Sequence, residues 1–249
     1  MATIPFGLQL YCVRDDCARD LPGTLSAIAR MGYEGVEFAG YHGHGAKELR
    51  RLLDDAGLQC CGSHLRLEDL EGDALLRTVE FNHTLGNRYL IVASLPPERA
   101  ATRAQWLAHA ELFSELSARL AGYHLRLGYH NHDREFHVVE GERPWDTFFG
   151  HTAPAVVMQL DTGNALHGGG DPAATLRRFP GRATTIHFKE YAGGHGRAII
   201  GEGLTDFRLL MDLCEQAGGT EWYIVEQESR TYPPLGCVKL CLEALQRPV

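Results

Sequence analysis

Four short stretches of this 249-residue chain carry side chains able to bind a metal or move a proton. They are YHNH (Tyr129–His132), QLDTGN (Gln159–Asn164), IHFKE (Ile186–Glu190) and VEQE (Val225–Glu228). Imidazoles and carboxylates together suit Mn, Co, Zn or Fe better than Ca or Mg. The same groups serve as general acids and bases. In an extended strand alternate residues face one side, so His130 and His132 are expected to point the same way. The spacing between the four stretches is far too long for a local motif such as H-E-x-x-H, so the fold must assemble any site they share.

The elements that would position them alternate between short apolar runs and longer amphipathic stretches. Strands are expected at Ile4–Tyr11, YEGVEFAG, LQCCGSH, YLIVAS, LRLGYHNH, Ala155–Asp161, ATTIHFKE and EWYIVEQE. Between them lie helical patterns: LPGTLSAIARMG ending at Gly32, GAKELRRLLDDAG ending at Gly57, and LEGDALLRTVEFNHTLG. The long RAQWLAHAELFSELSARLA stretch, LTDFRLLMDLCEQAG ending at Gly218, and PLGCVKLCLEAL complete the series. DPAATLRRF starts a further short helix, with Asp171 as N-cap and Pro172 in the first helical position. Strands separated by helices require crossovers and a parallel sheet. Eight such units within 249 residues predict an α/β chain forming one (β/α)8 TIM barrel over residues 1–249. An open doubly wound sheet is the alternative, but no G-x-G-x-x-G turn follows the first strand.

In a barrel, chemistry sits at the C-terminal ends of the strands. Read there, the chain places Gln9, Glu37 and His64 on strands one to three. Strand five ends in His130 and His132, and strand six in Gln159 and Asp161. Strand seven ends in His187, Lys189 and Glu190, and strand eight in Glu226 and Glu228. Each has an ordinary reading alone: a loop histidine, an internal ion pair, a helix cap, a solvated strand end. Seven polar strand ends converging on one mouth point instead to a shared site, because buried charges need partners or a metal. His42, His44, His124, His137 and His195 fall in loops or at strand starts and read as surface residues.

The bulk numbers remove several function classes. Hydrophobic residues make up 44% and charged residues 22%, with a net charge of −8. That is a globular composition without the basic footprint of a nucleic-acid binder. No apolar run is long enough to span a membrane, and the first residues lack a secretory-signal pattern. Seven cysteines without a C-x-x-C pair suggest reduced thiols and a cytoplasmic location.

At YHNH, QLDTGN, IHFKE and VEQE, in strand order, the chain resembles the xylose-isomerase-like barrel superfamily. GLQLYCVRD, GYEGVEF and GSH extend the likeness over essentially the whole chain. That group includes sugar and sugar-phosphate isomerases and epimerases, inosose dehydratases, dehydroshikimate dehydratases and a DNA-repair endonuclease. The resemblance implies a divalent cation (Mn, Co, Zn, Fe or Mg) held by His130, Asp161, His187 and Glu226. His130 stands where most of the family has Glu. A subset that includes inosose-dehydratase-like members carries a similar Y-H-x-H strand.

The implied chemistry is proton abstraction beside a carbonyl through a metal-stabilised enediolate. Glu226 is the first candidate base, His132 an acid or second base, and Lys189 either a support for developing charge or a group that orients Asp161 or Glu226. Gln9, Glu37, His64, Asn164 and Glu202, the last in a family-like GEG loop, are expected to meet substrate. Return of the proton would give a sugar or keto-polyol isomerase or epimerase. Loss of a β-hydroxyl would give a dehydratase of inosose or 3-keto-sugar type. The broader class favours the isomerase, whereas the missing Glu pulls toward elimination. Arg14, Arg66 and Arg134 could hold a phosphate or simply pair with the acids. An endonuclease would want more ligands and a basic face, and a barrel reused for binding is the non-enzymatic alternative. Small-molecule substrates, no nucleic acid, no membrane and a possible homodimer complete the expectations.

Overall fold

A computed structural model describes residues 4–191, 198–217 and 219–247. Eight parallel strands carry the molecule: β1 Phe6–Gln9, β2 Gly35–Ala39, β3 Gln59–Leu65, β4 Tyr89–Val92, β5 Arg126–His130, β6 Val157–Gln159, β7 Thr185–Phe188 and β8 Trp222–Val225. The helices between them are α1 Arg14–Arg19, α2 Leu21–Met31, α3 Ala46–Ala56, α4 Ala74–Leu85, α5 Arg103–Ala121, α6 Pro144–His151, α7 Thr162–His167, α8 Pro172–Arg178, α9 Phe207–Ala217 and α10 Pro234–Leu245. The strand order is β6-β5-β4-β3-β2-β1-β8-β7. The ring then closes from β7 to β6 through a parallel bridge between Asp161 and His187. His187 N donates to Leu160 O at 2.9 Å across that seam. The (β/α)8 barrel read from the sequence is therefore present, nearly closed.

Alternation along the strands separates two apolar layers. On β4, Leu90 and Val92 join the large core under the helices, whereas Tyr89 and Ile91 pack with Cys61, Val157, Trp222 and Ile224. The smaller cluster fills the barrel, and Gly128 makes room for it: a β-carbon there would overlap Ile91 and Val157. The helix stops at Gly32 and Gly57 hold, both in left-handed geometry. Asp171 caps α8 by accepting from Ala174 N, with Pro172 as its first residue. Gly218 and His195 lie outside the described residues. All seven cysteines are free and buried. Among the described residues, no helix is long and apolar enough to cross a membrane.

Strand ends differ from the expectation where polar residues take over the backbone. β5 stops at His130 instead of running to His132. Asn131 turns its side chain to the backbone of Asp161, and His132 N donates to Glu135 Oε2 at 2.8 Å. Local side chain–backbone bonds of this kind replace a ladder. β2 and β3 change register between Val36 and Glu37, so Cys60 faces Val36 while Gly62 faces Glu37. The bulge aims Glu37 into the barrel.

Candidate metal centre and substrate cavity

β5, the end of β6, β7 and the residue after β8 bring His130, Asp161, His187 and Glu226 together. One ligand atom from each lies within 4.8 Å of the others, and all four residues are buried. Asp161 is placed doubly. Its amide donates to Asn131 Oδ1, and its Oδ1 caps α7 by accepting from Asn164 N at 2.7 Å. That leaves Oδ2 buried without a hydrogen-bond partner, as is His130 Nδ1. A bare carboxylate oxygen within a group of two imidazoles and two carboxylates is what a resident cation would satisfy.

Beneath this group lies a buried network built on Glu37, which has no exposed surface. Its Oε2 accepts from Gln9 Nε2 at 2.8 Å and from His187 Nε2 at 2.6 Å. Its Oε1 accepts from Gln159 Nε2 at 2.8 Å. His64 Nε2 stands 3.1 Å from Glu37 and 2.8 Å from Gln159 Oε1. His187 spans two carboxylates, since its Nδ1 is 2.8 Å from Glu226 Oε2. Lys189 Nζ donates to Glu226 Oε1 at 2.9 Å and lies 3.9 Å from Asp161 Oδ2. Gly62 leaves the space that Glu37 occupies, because a β-carbon there would overlap the carboxylate.

These contacts set the charges. Burial alone would lower the His187 pKa, but Glu37 and Glu226 overcome it and raise it to about 10. Burial works to raise Glu37, yet His64 and His187 hold it below the usual carboxylate range. Glu226 is held well below that range by Lys189 and His187, against the same burial. Asp161 goes the other way: burial lifts it to about 6, with Lys189 offsetting part of the effect. Burial keeps His130 neutral, with the neighbouring His187 acting in the same direction. A neutral imidazole is the form that ligates.

The group opens on a cavity of about 850 Å³. His64, His130, His132, Gln9 and Glu226 line its inner end. His132 is exposed at the rim, its ring 5.3 Å from that of His130 and nearly perpendicular to it. Partial enclosure of that ring lowers its pKa, against Glu135 and Glu226, and favours the neutral form. Not every expected substrate contact reaches this space. Glu37 lies under His187, holding histidines. Asn164 donates to Asn131 O at 3.2 Å and braces the Asp161 turn. Glu202 accepts from Tyr232 Oη at 2.6 Å, away from the cavity. Lys189 touches the ligands Glu226 and Asp161 and does not line the cavity.

Two participants are not among the residues expected from the sequence. Asn131, inside YHNH itself, ties β5 to Asp161. Glu135, buried, accepts from Tyr129 Oη at 2.8 Å and fixes the backbone of His132. A polar residue between two histidines was the available signal for the first. Glu135 gave none, because it sits in a loop beside other charges.

Comparison with known proteins agrees with the geometry. Residues 25–246 match the family model described as xylose isomerase-like TIM barrel. The chain is similar to the rhizopine catabolism protein MocC of Rhizobium meliloti, 25% identical over 91% of this chain and 81% of that protein. It is also similar to inosose dehydratase of Geobacillus kaustophilus, 27% identical over 69% of this chain and 65% of that enzyme. Among solved structures, a sugar phosphate isomerase/epimerase from Parabacteroides distasonis superposes with a TM-score of 0.84 at 23% identity, over 98% of both chains.

Proposed function

The chain belongs to the xylose isomerase-like TIM barrel family, and on that premise we propose that it is a divalent-metal-dependent enzyme that removes a proton beside the carbonyl of a keto-polyol or keto-sugar. The observation that carries this reading is the buried quartet His130, Asp161, His187 and Glu226, with its bare Asp161 oxygen, facing a cavity rimmed by His132. Those four residues would hold the cation, which as a Lewis acid would polarise the carbonyl and offset the charge left by the departing proton.

In this reading the base is His132, and Glu226, the first candidate from the sequence, serves as a ligand. Glu226 is occupied by His187 and Lys189 and is held strongly acidic. His132 is neutral and lines the cavity. It takes the proton at a ring nitrogen and can return it on the same face of the substrate. Lys189 orients Glu226, and Glu37 orients His187. Exchange of a proton across opposite faces wants a second carboxylate. Among the described residues lining the cavity, the carboxylates are Glu226 and Asp69, and Asp69 is paired with Arg66. One histidine on one face suits loss of a β-hydroxyl, the reaction class in the name of the inosose dehydratase relative. Same-face isomerisation is the second reading, sharing the first step.

The test is NMR in D2O over a panel of inososes, ketoses and 3-keto-glycosides with Mn- or Co-loaded protein. Water loss with deuterium uptake supports the dehydratase; exchange with a rearranged product supports the isomerase. Protein without affinity for divalent metal and without exchange on any of these would defeat both. His132→Gln should keep its metal and lose exchange at least about 100-fold. Wild-type exchange in that variant would return the role of base to Glu226.

A further inference from the structure

The cavity is longer than the chemistry needs. About 850 Å³ is near the top of the roughly 300–1,000 Å³ span of small-molecule sites. A single six-carbon keto-polyol, anchored at the quartet, fills a fraction of it. The rest runs between the ends of β2, β3 and β4 toward α4. Its middle is kept clear by small residues, Ala39 at the end of β2, Gly40 next to it, and Ala93 and Ser94 after β4. Gly40 has φ +84, and a β-carbon there would meet nothing within 4 Å. Its far wall differs in character from the inner end: Tyr41 and Phe81 have ring centroids 4.2 Å apart, and Phe38 backs Tyr41 at 5.8 Å. Arg77, which has no ion-pair partner among the described residues, lies beside Phe81 on the same face of α4.

Resting on the function proposed above, we infer that this far wall is an aglycone subsite and that the substrate is a keto-sugar carrying a second ring. Aromatic side chains recognise the flat apolar face of a ring, aromatic or sugar. A chelating first ring at His130 and Glu226 would direct its substituent along the Ala39–Ala93 passage to Tyr41 and Phe81. A phosphate substituent would find Arg77 as its unpaired cation among the described lining residues, but Asp69 and Arg66 already pair with each other, and the aromatic rings are the larger feature of the wall.

The experiment compares deuterium uptake beside the carbonyl of 3-ketoglucose, phenyl 3-keto-β-glucoside and 3-keto-cellobiose. It uses metal-loaded wild type, Phe81→Ala, Phe81→Tyr and Arg77→Ala. Wild type should show kcat/KM at least tenfold higher for one or both glycosides than for the free keto-sugar. Preference for the phenyl or the glucosyl form identifies the ring. Phe81→Ala should lower the glycoside value roughly tenfold and leave 3-ketoglucose within twofold, with Phe81→Tyr restoring it. Equal handling of free and substituted sugars, or equal losses on both in Phe81→Ala, would overturn the subsite.

If no probe exchanges, the proposed function fails by itself, and the subsite is read by saturation-transfer NMR. Phenyl β-glucoside and cellobiose should then give contacts with wild type that Phe81→Ala removes, with glucose giving none. Absence of those contacts overturns it. So does binding of glucose 6-phosphate that Arg77→Ala abolishes and Phe81→Ala leaves intact.

Discussion

His187 holds the site's proton balance. With both ring nitrogens against carboxylates it is an imidazolium, its pKa raised to about 10, and ligating a metal requires it to lose a proton. Asp161, lifted to about 6, must also be ionised. The sign follows. Below pH 6 binding displaces two protons, and between about 6 and 10 it displaces one. The logarithm of the apparent affinity for Mn or Co should therefore rise with a slope near 2 at low pH and near 1 above. Competition against a chelator from pH 5.5 to 8.5 measures it, and a flat profile would reject this ligand set. The metal-free protein titrates in both directions. The His187 contribution is complete below about pH 6.5 and lost as pH rises through about 10. The Glu37 and Glu226 contributions are present above the ordinary carboxylate range and lost on acidification. Little of this network could be read in the sequence. The residues at the strand ends were visible, but Glu37 meets Gln9, Gln159 and His187 across 28, 122 and 150 positions. No local pattern states that a carboxylate will face two histidines and two amides.

At the scale of elements, apolar alternation and glycine stops revealed the order of strands and helices, because each strand is buried on both faces. The ends were harder, since they depend on what the backbone bonds to next. β5 is two residues shorter at its end than its pattern predicts, because YHNH continues the alternation after Asn131 and Glu135 have taken over the backbone. Arg182, between α8 and β7, is a similar case, since no sequence pattern marks it. Its Nη1 donates to Phe149 O at 2.7 Å, and its Nη2 donates to Thr152 Oγ1, Ala153 O and Val156 O at 2.7–3.0 Å. Its own carbonyl accepts from Met158 N. One side chain thus fixes the loop after α6 and the start of β6 against the start of β7. Arg182→Ala should cost about 3 kcal/mol, since several carbonyls lose a charged donor at once. Arg182→Lys should recover only part of that, because one ammonium cannot reproduce the planar fork. Urea denaturation with an unchanged m-value checks both.

At the scale of the molecule, the barrel closes where the ligands sit. The strand ladder runs continuously from β6 round to β7, and the remaining seam is bridged by Asp161 and His187 themselves. A cation held by both residues would join the two edges of the sheet, so metal binding and closure of the fold should be coupled. Metal at 100 times its Kd should add about 2.7 kcal/mol of stability. For a chain of this size that corresponds to a melting temperature higher by roughly 5–10 °C. A ligand acting at a cavity far from the seam could raise the melting temperature as well, so the location of the effect is the discriminating observation. On chelation, amide exchange should speed up first at His187 and Glu226, whose N–H groups donate to Leu160 O and Phe188 O. The β3–β4 pairing, Ser63 to Leu65 against Leu90 to Val92, lies on the far side of the ring and should change least. Uniform acceleration around the barrel would mean that the metal stabilises the fold as a whole without clamping its seam. No change at β6 and β7 would place the cation elsewhere than at Asp161 and His187.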